Sequence, residues 1–123
     1  MIVDFGLSVF VDDEDYGFYS CGTPGYISPE TFRMKRGDKT SVLSDVFSAG
    51  VVFHILLTGK YLFSGNSPLE VLKNNKEVVI DFNAPHYRRI DPVAFDLLRR
   101  MVEKDPLKRL SPFECLCHEF LRE

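Results

Sequence analysis

The sequence has no tryptophan and only three cysteines, Cys21, Cys115 and Cys117, among 123 residues. Two of the three stand two positions apart and the count is odd, which excludes a disulfide framework. A reducing compartment fits such sparse cysteine, so the expected location is intracellular and cytoplasmic. A basic surplus is also missing: 15 Lys and Arg face 18 Asp and Glu, a formal charge of −3 at pH 7. Nucleic-acid binders draw much of their affinity from neutralising phosphates, so no nucleic-acid partner is expected. No long apolar run occurs either. The longest, Val46 to Leu57, is interrupted by Ser48 and His54 and is too short to span a bilayer. The first residues carry no basic stretch ahead of an apolar one, so neither a secretory signal nor a membrane partner is expected. Internal repeats and low-complexity segments are absent as well.

What remains is an ordinary globular balance, 45% hydrophobic and 27% charged, with 11 Phe and 5 Tyr for packing. That is enough for one core of domain size. Met1 to Val3 read as the tail of a strand entering a turn at Asp4-Phe5-Gly6. The acidic run Asp12 to Asp15 reads as an exposed loop, and Gly22-Thr23-Pro24-Gly25 is a dense turn signal. Ser28-Pro29-Glu30 could open a short helix with Ser28 as N-cap. Arg33 to Lys39 is a basic loop.

Ser44 to Thr58 is apolar on nearly every side, the pattern of a helix buried at the centre of a larger body, and Gly59 closes it. Ser67-Pro68-Leu69-Glu70 and Ser111-Pro112-Phe113-Glu114 are capping boxes. Asp91-Pro92 opens a helix whose apolar pairs Val93/Ala94, Leu97/Leu98 and Met101/Val102 bury one face. The last helix repeats that rhythm at Phe113, Leu116/Cys117 and Phe120/Leu121. The expected fold is mainly α.

Four sequence elements carry chemistry in a fixed order: Asp4-Phe5-Gly6; Cys21-Gly22-Thr23-Pro24-Gly25-Tyr26-Ile27-Ser28-Pro29-Glu30; Asp45-Val46-Phe47-Ser48-Ala49-Gly50; and Asp105-Pro106-Leu107-Lys108-Arg109. Together they resemble the C-terminal half of a eukaryotic protein kinase domain over nearly the whole chain. They match its Asp-Phe-Gly motif, its activation segment, the central helix of its large lobe and its late arginine. Cys-Gly-Thr-Pro-Gly-Tyr is similar to the serine/threonine kinases, the calcium/calmodulin-dependent group above all.

The resemblance implies residues 1–30 as Mg²⁺-binding motif and activation segment, and 31–123 as a helical subdomain of the large lobe. It implies ATP and Mg²⁺ as cofactors, with Asp4 holding the cation that bridges the phosphates. Thr23 would stand near the catalytic base and the incoming hydroxyl. Pro24, Gly25 and Tyr26 would floor the pocket for the next substrate residue. Glu30 and Arg109 would form a buried ion pair, and Asp45 would anchor the catalytic loop. Two departures stand out: Ser28 replaces the usual Ala and should improve the cap, and Phe47 replaces the usual Trp. Tyr19 stands where relatives often carry an activating Thr.

Several parts of a working kinase are missing. No Gly-x-Gly-x-x-Gly occurs, and no strand lysine precedes Asp4. His86-Tyr87-Arg88-Arg89-Ile90-Asp91 only imitates the catalytic loop, since it follows Asp-Phe-Gly and has no Asn five residues beyond Asp91. The expected partners are therefore a protein substrate, ATP and the remaining N-terminal part of the domain, and the 123 residues alone should bind ATP weakly or not at all. The alternative reading is a degenerate kinase remnant serving as a protein-binding module. Cys115, Cys117 and His118 do not promise zinc, because helix positions two apart point in different directions. His54 is expected to be a hydrogen-bonded core histidine.

Overall fold

A computed structural model describes residues 1–11, 13 and 21–122. Four α-helices appear among them: α1 Val42–Thr58, α2 Pro68–Glu77, α3 Pro92–Met101 and α4 Pro112–Cys117. Short 3₁₀ turns cover Thr31–Arg33, Pro85–Arg89 and Glu119–Leu121. Apart from Asp13, which is exposed, the acidic run lies outside the described residues, as do Tyr19 and Ser20.

Serine and aspartate caps set where the helices begin. Ser41, rather than a residue nearer Ser44, accepts the amide of Leu43 and starts α1. Asp91 accepts the amides of Val93 and Ala94 ahead of Pro92. Ser111 and Glu114 form the full reciprocal box that their spacing implies. At α2 only half of the box forms: Ser67 accepts the Glu70 amide, but the Glu70 carboxylate reaches past it to the Asn66 amide at 2.6 Å. At its other end, α1 stops on Gly59 in the left-handed region (φ 67°), where a residue with no Cβ is under least strain.

The core forms where α1 crosses α3. Phe47 and Val51 of α1 pack with Leu98 and Val102 of the α3 end, closed by Leu62, Phe63 and Tyr87. A smaller cluster joins Val46, Leu97 and Cys115, tying α4 to the same pair. Gly50 permits the close approach, since a Cβ there would lie 2.8 Å from Val102 Cγ1 and 2.9 Å from Met101 Cβ. His54 is fully buried, as expected of a core histidine. The Lys60 carbonyl, 3.0 Å from Nδ1, can only accept, so Nδ1 carries the proton and Nε2 accepts from the Tyr87 hydroxyl at 2.9 Å. Burial holds His54 below its ordinary pKa and pushes Tyr87 up to about 12, so both are neutral at pH 7.

Several expectations need correction. Met1 to Val3 form no strand; they are exposed, and the described residues include no strand for them to pair with. Ser28 does not cap a helix. Its hydroxyl bonds to Thr31 Oγ1 at 2.7 Å, and the helical turn begins only at Thr31. α1 is not buried on every side: one stripe stays exposed, with Val52 at 48% and Leu56 at 78%. In α4 the apolar rhythm is out of register. The helix ends at Cys117, leaves Phe113 and Leu116 exposed and buries Cys115 instead.

Substituting Gly50→Ala sets a gain in helix propensity of about 1 kcal/mol against overpacking of about 1–3 kcal/mol. The Met101 backbone carbon, 3.3 Å from the new methyl, cannot yield as a side-chain tip can. The expected outcome is a net loss of stability of about 1 kcal/mol, read as a lower urea midpoint with an unchanged slope.

Candidate functional site

Thr23 to Tyr26 form a tight turn. Pro24 holds the second position, Gly25 takes φ 95° at the third, and the Tyr26 amide donates to the Thr23 carbonyl at 3.1 Å. Pro followed by a positive-φ glycine is the type II pattern, so the dipeptide dictates the bend. The chain beyond it is held from outside. Asn75 of α2, fully buried, accepts the amides of Gly25 (2.9 Å) and Ile27 (3.2 Å) through Oδ1 and donates Nδ2 to the Ile27 carbonyl at 2.7 Å. Ser48 of α1 donates to the Tyr26 carbonyl at 2.7 Å. Backbone groups that a strand would pair are satisfied here by two side chains.

The segment ends at Glu30, which meets Arg109 in a forked pair: Nη1 to Oε1 at 2.6 Å and Nη2 to Oε2 at 2.9 Å. The Arg109 side chain is wholly buried and that of Glu30 is 22% exposed. Arg109 also donates Nε to the Glu103 carbonyl, Nη1 to Leu43 O at 2.7 Å and Nη2 to Lys104 O at 3.4 Å. All five of its N–H groups thus have acceptors, the condition under which a buried guanidinium is tolerated. Its carbon lies 5.0 Å over the Phe47 ring, so the residue standing in place of tryptophan still supplies an aromatic face. Burial raises the Glu30 pKa, but the hydrogen bonds and charge of Arg109, with the Ser44 hydroxyl, outweigh it and leave the carboxyl below its ordinary value.

Beside this segment lies a cleft of about 430 Å³ whose lining includes Leu7, Thr23, Tyr26, Asp45 and Ser48. Asp45, in the first turn of α1, is exposed. Pro24, Gly25 and Tyr26 also border a smaller cavity of about 290 Å³, with Val51, Leu62, Phe63 and Val71. The structure therefore gathers Thr23, Tyr26 and Asp45 around one cleft. Asp4 lines neither space. It is exposed, in the left-handed region at φ 66°, which aspartate tolerates better than most residues.

Among the described residues no group of three or more His, Cys, Asp or Glu could hold a metal ion. A lone carboxylate nevertheless suits Mg²⁺, which keeps its waters and is bound chiefly through substrate phosphates rather than a protein cage. Asp4, an exposed hard-oxygen donor, is of the chemical kind such an ion would take.

Asn75 is the residue that sequence reading missed. Its only trace is an Asn74-Asn75 pair inside a helix, where asparagine is a poor former and needs a tertiary reason. Cys115 is buried, Cys117 is exposed, and His118 turns to Asp96 at 3.1 Å.

The fold presents a Pro-Gly-bent segment pinned at Glu30 to a helical body behind it. Residues 1–121 match the protein kinase domain model, and the chain belongs to that family. It is similar to calcium/calmodulin-dependent protein kinase type I of Schizosaccharomyces pombe, 37% identical over 125 residues that cover 100% of this chain and 36% of that protein. It is also similar to calcium-dependent protein kinases 25 and 8 of Arabidopsis thaliana, 32% and 37% identical, each covering 98% of this chain and 22% of the relative. The chain thus spans between about a fifth and a third of these relatives.

Glu30→Gln should lower stability by about 3 kcal/mol, because the buried guanidinium loses its counter-charge. The folded carboxyl titrates below the unfolded one, so the wild-type pair stabilises fully above pH 4.5 and weakens as pH falls through that region. Urea unfolding from pH 7 to 3.5 should show that slope flattened in Glu30→Gln. Asn75→Ala strands two amides and a carbonyl, a loss on the order of 3 kcal/mol. Limited proteolysis should then cut first near Gly25–Ile27.

Proposed function

We propose that these residues are the C-terminal half of a serine/threonine protein kinase domain. The protein they belong to would transfer the γ-phosphate of ATP to Ser or Thr of protein substrates. The observation that carries this reading is the Thr23–Glu30 segment, bent by its own Pro-Gly, clamped by Asn75 and Ser48 and pinned at Glu30. Such support serves a backbone that must present groups to an incoming chain, since a misplacement of about 1 Å costs rate on the order of a hundredfold.

In this reading residues 1–30 carry the cation site and activation segment, and 31–123 are the subdomain that holds them. Asp4 would hold Mg²⁺ with ATP, which when bound neutralises the charge spread over the transferring phosphoryl group. Thr23 positions the acceptor hydroxyl from the cleft edge. Pro24, Gly25 and Tyr26 floor the neighbouring cavity, whose Val51, Leu62, Phe63 and Val71 favour an apolar substrate side chain. Glu30, Asp45 and Arg109 are supports.

The exposed apolar residues Val3, Phe5, Val52 and Leu56 would be covered by the remainder of the kinase domain. Among the described residues no helix is long and apolar enough to cross a membrane, and an intracellular, cytoplasmic setting suits an ATP-dependent enzyme. The same exposed apolar surface favours the second reading, a kinase remnant that binds a partner protein without catalysis.

The two readings part on Asp4. Phosphate transfer from labelled ATP to Ser- and Thr-containing peptides should be measured with the protein as the cell produces it, beside an Asp4→Asn variant. On the enzymatic reading transfer falls at least about a hundredfold in Asp4→Asn while stability is unchanged. Equal transfer by both proteins would remove Asp4 from the reaction, and no transfer by either would favour the binding module. The 123 residues alone, without a Gly-rich loop or a catalytic loop, should show no thermal shift at millimolar Mg-ATP.

A further inference from the structure

A second groove, also of about 430 Å³, shares no lining residue with the cleft beside Thr23. Arg99 and Arg100 from the last turn of α3, and Lys104 and Lys108 from the loop after it, stand on its walls. Its apolar lining is Val78, Ile80, Phe82 and Val102. Two carboxylates also line it, and both are already engaged. Asp96 accepts from Arg100 Nε at 3.0 Å and from His118 Nε2 at 3.1 Å, and Glu103 accepts the Asp105 amide at 3.2 Å. Four cations against two carboxylates leave the groove at +2, in a chain whose net charge is −3.

The cations are also placed. Arg99 lies over the rings of Phe82 (5.4 Å) and Phe95 (5.9 Å), so its planar fork is held without an acidic partner. Lys104 is tethered to the Glu77 carbonyl at the end of α2, at 3.1 Å. Among the described residues no carboxylate lies within ion-pair distance of Arg99 or Lys108. Stacked, unpaired guanidinium beside an apolar floor is a surface prepared for an anion that brings hydrophobic area with it.

We propose that this groove docks an acidic peptide segment of a partner protein, with two or more carboxylates flanking an apolar side chain. Charge complementarity selects the carboxylates, and the half-buried Val78, Ile80 and Phe82 take the apolar side chain. A free phosphate would make no use of that floor, and the negative net charge disfavours a nucleic acid. Docking here leaves the Thr23 cleft open, so one partner could be held at the groove while another segment of it occupies the cleft. The proposal goes beyond the kinase reading and does not require catalysis.

The test is fluorescence anisotropy with a labelled peptide, Glu-Glu-Leu-Glu-Glu-Phe-Glu-Glu, and its Gln-for-Glu counterpart, on the full chain without nucleotide. The expected result is saturable binding of the acidic peptide alone, weakening between about 50 and 200 mM salt. Binding should be at least about tenfold weaker in an Arg99→Gln/Lys108→Gln variant. Replacing Arg88 and Arg89, exposed cations outside the groove, by Gln should change nothing. Far-UV circular dichroism checks that each variant is folded, and Lys108→Gln alone, an exposed change, serves if the double variant is not. The proposal is overturned if the Gln peptide binds equally, if the Arg88/Arg89 variant loses as much affinity, or if the Lys108 and Arg99 changes have no effect. Retention on phosphatidylserine vesicles with no peptide binding would overturn it in favour of a lipid surface.

Discussion

The Arg109 guanidinium is the point on which the arrangement of this chain depends. It is buried, it cannot shed its charge, and every one of its donors must therefore find an acceptor inside the protein. The acceptors come from the Glu30 carboxylate, the first turn of α1 and the loop between α3 and Arg109 itself. Three stretches far apart in sequence are thereby brought to one spot. Phe47 beneath the guanidinium adds an aromatic face from the same helix that supplies the Leu43 carbonyl. If Glu30 were displaced, a charge would remain where water cannot reach it, so the end of the Thr23–Glu30 segment has little freedom.

α1 is the structural counterpart of that pair. Its residues serve several directions at once. Ser44 and Ser48, one turn apart, reach Glu30 and the Tyr26 carbonyl. Phe47 and Val51 enter the main core, and Gly50 lets α3 approach closely. His54 fastens Tyr87 and the Lys60 carbonyl near its far end. A helix with so many obligations cannot be amphipathic in the ordinary sense, which explains why its composition suggests burial on all sides although Val52 and Leu56 remain exposed.

Much of this was legible in the residues. The Asp91 and Ser111 caps, the Gly59 stop and the core role of His54 follow from local chemistry, and the structure has each as its residues imply. Cap readings failed where a competing partner was nearer: Thr31 captured the Ser28 hydroxyl and the Asn66 amide captured Glu70. The apolar rhythm of the last helix failed because periodicity does not reveal where a helix stops. With α4 ended at Cys117, the small thiol of Cys115 is the residue left against Val46 and Leu97.

The amino-acid order alone settled the helical class, most helix termini, the Pro-Gly bend and membership of the protein kinase family, because these depend on neighbours a few positions apart or on motifs in a fixed order. Tertiary structure alone decided the Asn75 clamp, the convergence of backbone carbonyls on Arg109 and the meeting of four cations over an apolar floor. The Asn75 clamp and the Arg109 carbonyls join groups whose separation along the chain carries no local signal, and the cations, neighbours in sequence, meet Val78, Ile80 and Phe82 only through packing.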